Sequence, residues 1–342
     1  MAKLRFALLG AGFWARYQLN GWLATGEAEC IAVCDRVREK AEALAGQFDI
    51  PAAYDDAEAM LAAVKPDFID ICTSVETHGP LVQLAARKKV AAVCQKPLAL
   101  SLAEAEASVA ACRAAGVPLY VNENWRWQFP IRQFQKALGT GAIGDVFRAR
   151  ITMVSGFPVF KNQPFLAEIE QFILTDIGSH VLDAARFLFG EVERLYCQTQ
   201  KIHTNIRGED VATVILRTRG GATVTVEMGY AENFLEHDRF PETYIFAEGS
   251  KGSSELGPDF WIRTTTEAGT VSKRYPPPRF AWADPAYDVV HSSVVPCQAN
   301  LAAAMQGRGT AETTGEDNLK TMRLVFGSYE SAARGETVVL PA

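Results

Sequence analysis

Three small groups of residues carry types and spacings that could do chemistry. The first is Gly10-Ala11-Gly12-Phe13-Trp14-Ala15, a glycine turn closing a short apolar run. Gly10 allows the tight turn, Gly12 lets the backbone approach a pyrophosphate, and Ala15 takes the third small position, where a helix packs on a strand. The N-terminus of that helix, opening at Phe13 and Trp14, favours phosphate charge. Asp35 follows Gly12 by 23 residues, at the end of a second apolar run. A carboxylate there accepts hydrogen bonds from an adenosine ribose. The group predicts a dinucleotide site. A 2′-phosphate beside Asp35 would set two anions together, so NAD is expected over NADP, a preference that the neighbouring Arg36 softens.

The second group is Gln95-Lys96-Pro97, directly after the apolar run that ends at Cys94. Ligands of open α/β sheets bind beyond the carboxyl ends of strands, so Lys96 is expected at the reactive end of a bound cofactor, with Gln95 beside it. Pro97 biases Lys96 away from helix. Taken alone, a lysine at a strand end is usually a solvated charge. Thr73, Ser74 and His78 follow another strand end and are expected to border the cofactor.

The third group is Thr175-Asp176…His180…Asp183. At about 100° per residue, Asp176, His180 and Asp183 fall on one stripe of a helix over 176–189. Thr175 is its expected N-cap, and Ile177, Val181, Ala184 and Leu188 form the core-facing stripe. Two readings stand open: a solvated face with an i,i+4 pair, or a chemical set. In the chemical set Asp176 holds the His180 ring, and His180 takes a proton from a substrate hydroxyl. A metal on Asp-x3-His-x2-Asp is a further alternative, but a hydride carrier makes it unnecessary, and no metal is expected. His203, His237 and His291 read as surface or packing residues.

Up to about residue 122, strands expected at 4–9, 30–34, 68–72, 90–94 and 118–122 alternate with helices near 13–24, 37–48, 56–64, 78–88 and 101–115. That alternation implies a parallel sheet covered on both faces, an N-terminal Rossmann domain over 1–122. From 123 to 342 the pattern changes. Strands are expected at 146–154, 192–201, 210–218, 222–229, 243–248 and 260–265, with helices near 130–138, 176–189 and 316–334. Short links between consecutive strands favour a large, mostly antiparallel open sheet, so the C-terminal domain is α+β and the chain as a whole α/β. No linker rich in Pro or Ser separates the two, which predicts a cleft near residues 95 and 122–127. A sheet with helices mainly on one face leaves another to be covered, so at least a homodimer or homotetramer is expected through the C-terminal sheet.

The 342 residues carry a net charge of −6 and no dense Lys/Arg cluster, which speaks against a nucleic-acid partner. No apolar run reaches about 18 residues, so no transmembrane helix is expected. The chain starts directly in a strand with a cofactor turn behind it rather than in a signal peptide, and is expected in the cytoplasm. Seven cysteines occur, at 30, 34, 72, 94, 112, 197 and 297, with no C-x-x-C pair. Four of them fall in expected buried strands, where Cys is a small hydrophobe; neither zinc nor a disulfide framework is expected.

At these residues the chain resembles the Gfo/Idh/MocA oxidoreductases. The resemblance runs through Gly10–Ala15, Asp35, Cys72-Thr73…His78, Lys96-Pro97, Arg126…Pro130, Gly141-Ala-Ile-Gly144, Asp176…His180 and the C-terminal Ser328-Tyr-Glu-Ser-Ala-Ala-Arg-Gly-Glu. It implies that Lys96, with Asp176 and His180 on a later helix, serves to oxidise a sugar or polyol hydroxyl. Gln95 stands where the family usually has Glu, so a contact to the cofactor ribose loses its charge. Ala15 replaces the third glycine, and Ser74-Val75 replaces a common Pro-Asn. Asn122-Glu-Asn-Trp-Arg-Trp127, the stretch from Phe234 to Thr243, and Arg274–Trp282 look most like the members that oxidise the branched pentose D-apiose with NAD to its lactone.

The resulting expectation is an NAD-dependent sugar dehydrogenase. His180 is the base, Asp176 orients it, and Lys96 stabilises charge on the oxygen. Trp125, Arg126, Asn162 and Gln163 are candidates to bound the sugar, the last two because they sit in a polar break within Phe157–Phe165. Two rivals differ in class. A non-catalytic dinucleotide sensor would be marked by loss of the Lys/Asp/His set, which is intact. An NAD-dependent glycosidase would use hydride transfer transiently, without net NADH accumulation.

Overall fold

The apolar runs of the first 122 residues fold as β1 (Leu4–Leu9), β2 (Ala28–Cys34), β3 (Ala53–Tyr54), β4 (Phe68–Ile71), β5 (Ala91–Gln95) and β6 (Leu119–Asn122). The amphipathic stretches between them are α1 (Ala15–Thr25), α2 (Arg38–Gln47), α3 (Ala57–Val64), α4 (His78–Lys88) and α5 (Leu102–Ala115). The structure is a computed structural model that describes residues 2–231 and 240–341. The six strands form one parallel sheet in the order β3-β2-β1-β4-β5-β6. The order reverses between β1 and β4, where such sheets bind their ligands. β4 is buried along its whole length, as a strand covered on both faces must be. Phe6 of β1 stacks on Phe68 of β4 at 5.1 Å, with the Trp22 ring 4.8 Å from Phe68. Ser101 caps α5 by accepting from Glu104 N at 3.2 Å, and Gly116 ends it in the left-handed region.

The second sheet has nine strands, β7 (Val146–Val154), β8 (Val192–Gln200), β9 (Val211–Thr218), β10 (Thr223–Gly229), β11 (Tyr244–Gly249), β12 (Gly252–Gly257), β13 (Trp261–Thr266), β14 (Gly269–Arg274) and β15 (Val338–Val339). Their order is β14-β13-β12-β11-β7-β10-β9-β8-β15. Every pairing is antiparallel except β7 with β10, which run parallel at the centre. Alternate residues face the core: Ala149, Ile151 and Met153 of β7, Val214 and Leu216 of β9, and Val224 and Val226 of β10 are buried. Before and between these strands lie α6 (Phe129–Gly139), α7 (Val159–Asn162), α8 (Ser179–Phe189), α9 (Asp288–His291), α10 (Val294–Met305) and α11 (Gly315–Arg334).

The residues form two compact units. The first holds residues up to Asn124 with Ala281–Ala283 and His291–Met322, although the latter come between β14 and β15 of the second sheet in sequence; the second holds Trp125–Phe280, Asp284–Val290 and Arg323 onward. In the first unit α10 crosses α1 so closely that a Cβ on Gly21 would lie 2.2 Å from Gln298 Oε1. Several elements lie outside the sequence expectation. β3 and β15 have two residues each, too few to show a period, and β14 is exposed throughout and so has no alternation. α10 carries Pro296 in its first turn, where the missing N–H costs nothing, yet a proline in the sequence reads as a breaker. All seven cysteines are free and buried. Among the described residues, no helix is long and apolar enough to cross a membrane.

Candidate active site

In the first unit the glycine turn follows β1. Gly10 has φ 96°, and a Cβ there would sit 2.2 Å from the Cys72 carbonyl oxygen, so no other residue fits. A Cβ on Gly12 would meet nothing within 4 Å, which leaves the surface over that residue open. The acid is fastened to this turn: Asp35 Oδ2 accepts from Ala11 N at 2.8 Å and Oδ1 from Val37 N at 2.9 Å. No side chain caps α1; Ala15 N bonds back to Gly12 O at 3.2 Å and Tyr17 N to Trp14 O at 3.0 Å, and the helix starts directly after the glycine turn, where its dipole favours an anion. Phe13 is 66% exposed beside the turn with the Arg16 guanidinium over its ring, and Arg36 is exposed next to Asp35. Trp14 packs on Tyr17, whose ring stacks on His291 at 4.0 Å. A backbone cradle, an uncapped helix N-terminus and a fixed carboxylate make up the donor and acceptor set that a dinucleotide requires.

His78, expected at the cofactor's border, is a buried strut. Its Nδ1 lies 2.9 Å from Pro97 O and its Nε2 3.2 Å from Thr73 O, so one ring spans the loops after β4 and β5. Burial lowers its pKa, opposed in part by those carbonyls. Thr77 donates its hydroxyl to Thr73 Oγ1 at 2.7 Å and its backbone N–H to Ser74 O at 3.0 Å, which closes the Thr73-Ser74 turn. Beyond β5, Gln95 Oε1 accepts from Lys96 N at 2.7 Å. Lys96 is half-buried, and its peptide bond to Pro97 is cis.

In the second unit, the helix expected over 176–189 begins earlier and differently. Residues Leu174–Gly178 form a π-helical turn that runs into α8, so the stripe reckoned at a constant angle does not hold there. Such wide turns are frequent at functional sites. Thr175 lies inside this turn, not at its cap, and its hydroxyl is 3.1 Å from Tyr329 OH. The acceptor at the helix start is Glu209, whose carboxylate takes Phe172 N and Leu174 N at 3.2 Å each and Tyr329 OH at 2.7 Å. Sequence reasoning missed it because the cap comes from the far-off link between β8 and β9. Asp176 N donates to Phe172 O at 2.8 Å, and its carbonyl accepts from Ser179 Oγ at 3.1 Å. Beside Asp176, burial pushes the Tyr230 hydroxyl well up, and the Asp176 charge adds to this.

His180 is buried on α8 and stacks on the Trp125 indole at 4.5 Å and 24°. Trp125, expected beside the sugar, is itself buried, and its Nε1 donates to Thr243 Oγ1 at 2.8 Å. Arg126, expected there too, makes a bidentate pair with Asp183, Nε to Oδ2 at 2.6 Å and Nη2 to Oδ1 at 2.5 Å. Asp183 is fully buried and also lies 3.7 Å from Arg186, so it belongs to a structural ion cluster rather than to a polar stripe with Asp176 and His180. The pair sits one turn from the His180–Trp125 stack and fixes the Trp125–Trp127 segment on α8.

Gln163 is half-buried after α7, its backbone N–H bonded to Val159 O at 2.8 Å. The side chain of Asn162, together with Phe234 and His237, lies outside the described residues. An aromatic group surrounds this region: Phe157 stacks on Phe240 at 4.1 Å, and Phe160 and Tyr230 both pack on Phe172. His203 has its Nδ1 2.5 Å from Asp210 Oδ2, the carboxylate that also accepts Ile202 N and His203 N. Burial pushes the Asp210 carboxyl up, but these donors together hold it below its usual range.

The parallel sheet with its glycine cradle and fixed acid defines a dinucleotide-binding enzyme. Residues 4–123 match the oxidoreductase family with an NAD-binding Rossmann fold, and residues 131–255 match the Gfo/Idh/MocA C-terminal domain. The chain belongs to the Gfo/Idh/MocA family of NAD(P)-binding oxidoreductases. It is 44% identical to a D-apiose dehydrogenase of Paraburkholderia graminis over 99% of this chain and 90% of that protein. It is 41% identical to a D-apiose dehydrogenase of Rhizobium rhizogenes over 100% and 99% of the two chains. An oxidoreductase from Agrobacterium radiobacter, crystallised with NAD+, L-tartaric acid and magnesium, superimposes with a TM-score of 0.96 at 41% identity, covering 99% of this chain and 98% of that one.

Proposed function

We propose that this protein is an NAD-dependent sugar dehydrogenase that oxidises D-apiose to D-apionolactone. The observation that carries the reading is the full-length similarity, at 44% and 41% identity, to two D-apiose dehydrogenases. When bound, the nicotinamide supplies the hydride acceptor for a substrate carbinol carbon. Gly10, Gly12, Phe13, Trp14, Asp35, Arg36, Thr73, Ser74, Gln95 and Lys96 hold the dinucleotide, with Asp35 favouring NAD over NADP and His78 bracing the loops that carry Thr73 and Lys96. A ring nitrogen of His180 takes the hydroxyl proton, Asp176 sets the ring's tautomer, and the Lys96 ammonium stabilises the charge left on the oxygen. Trp125 keeps the His180 ring in one plane, supported by Thr243 on its indole N–H. Asn162 and Gln163 complete the sugar side, and Arg126, paired with Asp183, holds the Trp125–Trp127 segment on α8. The oligomer is a homodimer or homotetramer built through the open face of the nine-stranded sheet.

The test is NAD reduction by the purified protein against a panel of pentoses, hexoses and polyols. D-apiose should give the highest kcat/KM with net NADH accumulation, which also separates a dehydrogenase from an NAD-dependent glycosidase. A better sugar overturns the substrate, and no reduction with any of them overturns the enzyme. His180→Ala should lower kcat by roughly 10²–10⁴-fold, the scale of general-base loss, with NAD affinity retained. Near-wild-type kcat in that variant removes His180 from the chemistry.

A further inference from the structure

Asp70 is the charged residue of the apolar strand β4, and it is fully buried. Its Oδ2 accepts from Trp22 Nε1 at 2.7 Å, and its Oδ1 accepts from Gln18 Nε2 at 3.1 Å and from Asn122 Nδ2 at 3.2 Å. An indole N–H only donates and an ionised carboxylate only accepts, so these contacts impose a direction on the amides beyond them. With its nitrogen turned to Asp70, Gln18 presents its oxygen to Gln95, whose Nε2 donates to it at 3.5 Å. With its own nitrogen so used, Gln95 presents Oε1 to the backbone N–H of Lys96 at 2.7 Å. Gln298 Nε2 donates to the Gln18 carbonyl at 3.0 Å and holds α1 at that residue. Each amide takes its orientation from the group before it and sets the group after it.

We propose that Asp70 is a positioning residue for Lys96, acting through Gln18 and Gln95, and that the glutamine at 95 is matched to a carboxylate at 70. This rests on the reading of Lys96 as a catalytic residue. A glutamate at 95 has no N–H for Gln18 Oε1. Gln18 must then turn, and its oxygen meets Asp70 Oδ1, one acceptor against another in a buried site. With asparagine at 70, its oxygen kept on Trp22 Nε1, the amide nitrogen donates to the turned Gln18 and to Asn122, whose own amide turns to accept it, and the chain of amides closes again in the opposite sense. Exchanging the charge between positions 70 and 95 therefore restores what either change alone breaks.

The experiment is the cycle of Asp70→Asn, Gln95→Glu and the double variant, assayed at alkaline pH, with the Lys96 amide followed by ¹⁵N–¹H spectroscopy. Each single variant should lower kcat by about 10-fold, the scale of a misplaced catalytic group, and shift the Lys96 amide resonance. The double variant should recover most of both, a coupling that a merely structural role does not produce. Gln18→Leu cuts the relay while leaving Asp70 its Trp22 and Asn122 donors, and should shift the same resonance. A double variant as slow as the two single effects combined overturns the proposal. So do single variants that keep both kcat and the Lys96 resonance. If Asp70→Asn does not fold, an unmoved Lys96 resonance in Gln18→Leu overturns it on its own. Full kcat in Lys96→Met removes Lys96 from the chemistry, and the resonance then still decides whether Asp70 positions its backbone.

Discussion

Two buried titrating groups of the first unit act in opposite directions. Burial pushes the Asp70 carboxyl up from 3.8 to about 7, against the pull of its Gln18, Trp22 and Asn122 donors. Between those values the folded chain holds a proton that the unfolded chain has lost, so the contribution of Asp70 is full below 3.8 and disappears as pH rises to about 7. His78 is lowered from 6.5, so its contribution is full above 6.5 and is lost as pH falls through its lowered value. The difference in Tm between wild type and Asp70→Asn should therefore shrink as pH rises from acid toward neutral. The difference between wild type and His78→Phe should shrink as pH falls below 6.5. Thermal melts across that range check both signs. In the proposed function Asp35 sets the preference for NAD. A like-charge juxtaposition costs on the order of a few kcal/mol, so Asp35→Ala should raise the NADP-to-NAD ratio of kcat/KM by roughly 10- to 100-fold. Equal or better kcat/KM with NADP in the wild type contradicts the preference.

The helix that carries Asp176 and His180 depends on an acceptor supplied from outside it. Glu209→Ala leaves two backbone N–H groups and the Tyr329 hydroxyl without that carboxylate, a loss of about 1–3 kcal/mol. Tm should fall, and kcat should fall beyond what the melt explains, because the turn at 174–178 loosens first; unchanged kcat assigns Glu209 to stability alone. Elements of this kind mark where the sequence stopped being informative. Gly10, Asp35, Lys96 and His180 were legible because each sits at a strand end or on a periodic helix, where residue type and spacing constrain one another. The same periodicity located β1, β7 and α4 to within a residue. Arg126 and Trp125 were legible as polar and aromatic groups near the site, but their partners Asp183 and His180 lie more than fifty residues away. Nothing in the local pattern distinguishes an arginine that meets a sugar from one that meets a buried aspartate. The π turn was invisible because the helical period assumed for the stripe is the property that it changes. Asp70 had a visible signal, a charge inside an apolar strand, which calls for compensating donors.

At the scale of the whole molecule, the nine-stranded sheet turns one row of side chains away from its core. Phe246, Arg150, Thr225 and Ile215 are cross-strand neighbours in register on β11, β7, β10 and β9, with Phe246 37% and Ile215 45% exposed. Apolar groups set among polar ones in this way suit a face that meets a second copy. The wild type should scatter light as at least a dimer at micromolar concentration, and Phe246→Glu with Ile215→Lys should shift it toward monomer. A monomeric wild type rejects the arrangement.

The burial of every thiol gives this chain a built-in record of its own opening. Six of the seven cysteines belong to the first unit, and Cys197 alone belongs to the second. Burial pushes Cys30 and Cys197 up to about 12 and Cys34 and Cys112 to about 11, so none of these is a nucleophile while the fold is closed. An alkylating reagent added during a denaturant titration thus writes a mass tag only where the structure has come apart. A species carrying one tag has opened its second unit. A species carrying six has lost the nucleotide half and kept the other, and a direct passage from none to seven means that the two halves unfold as one.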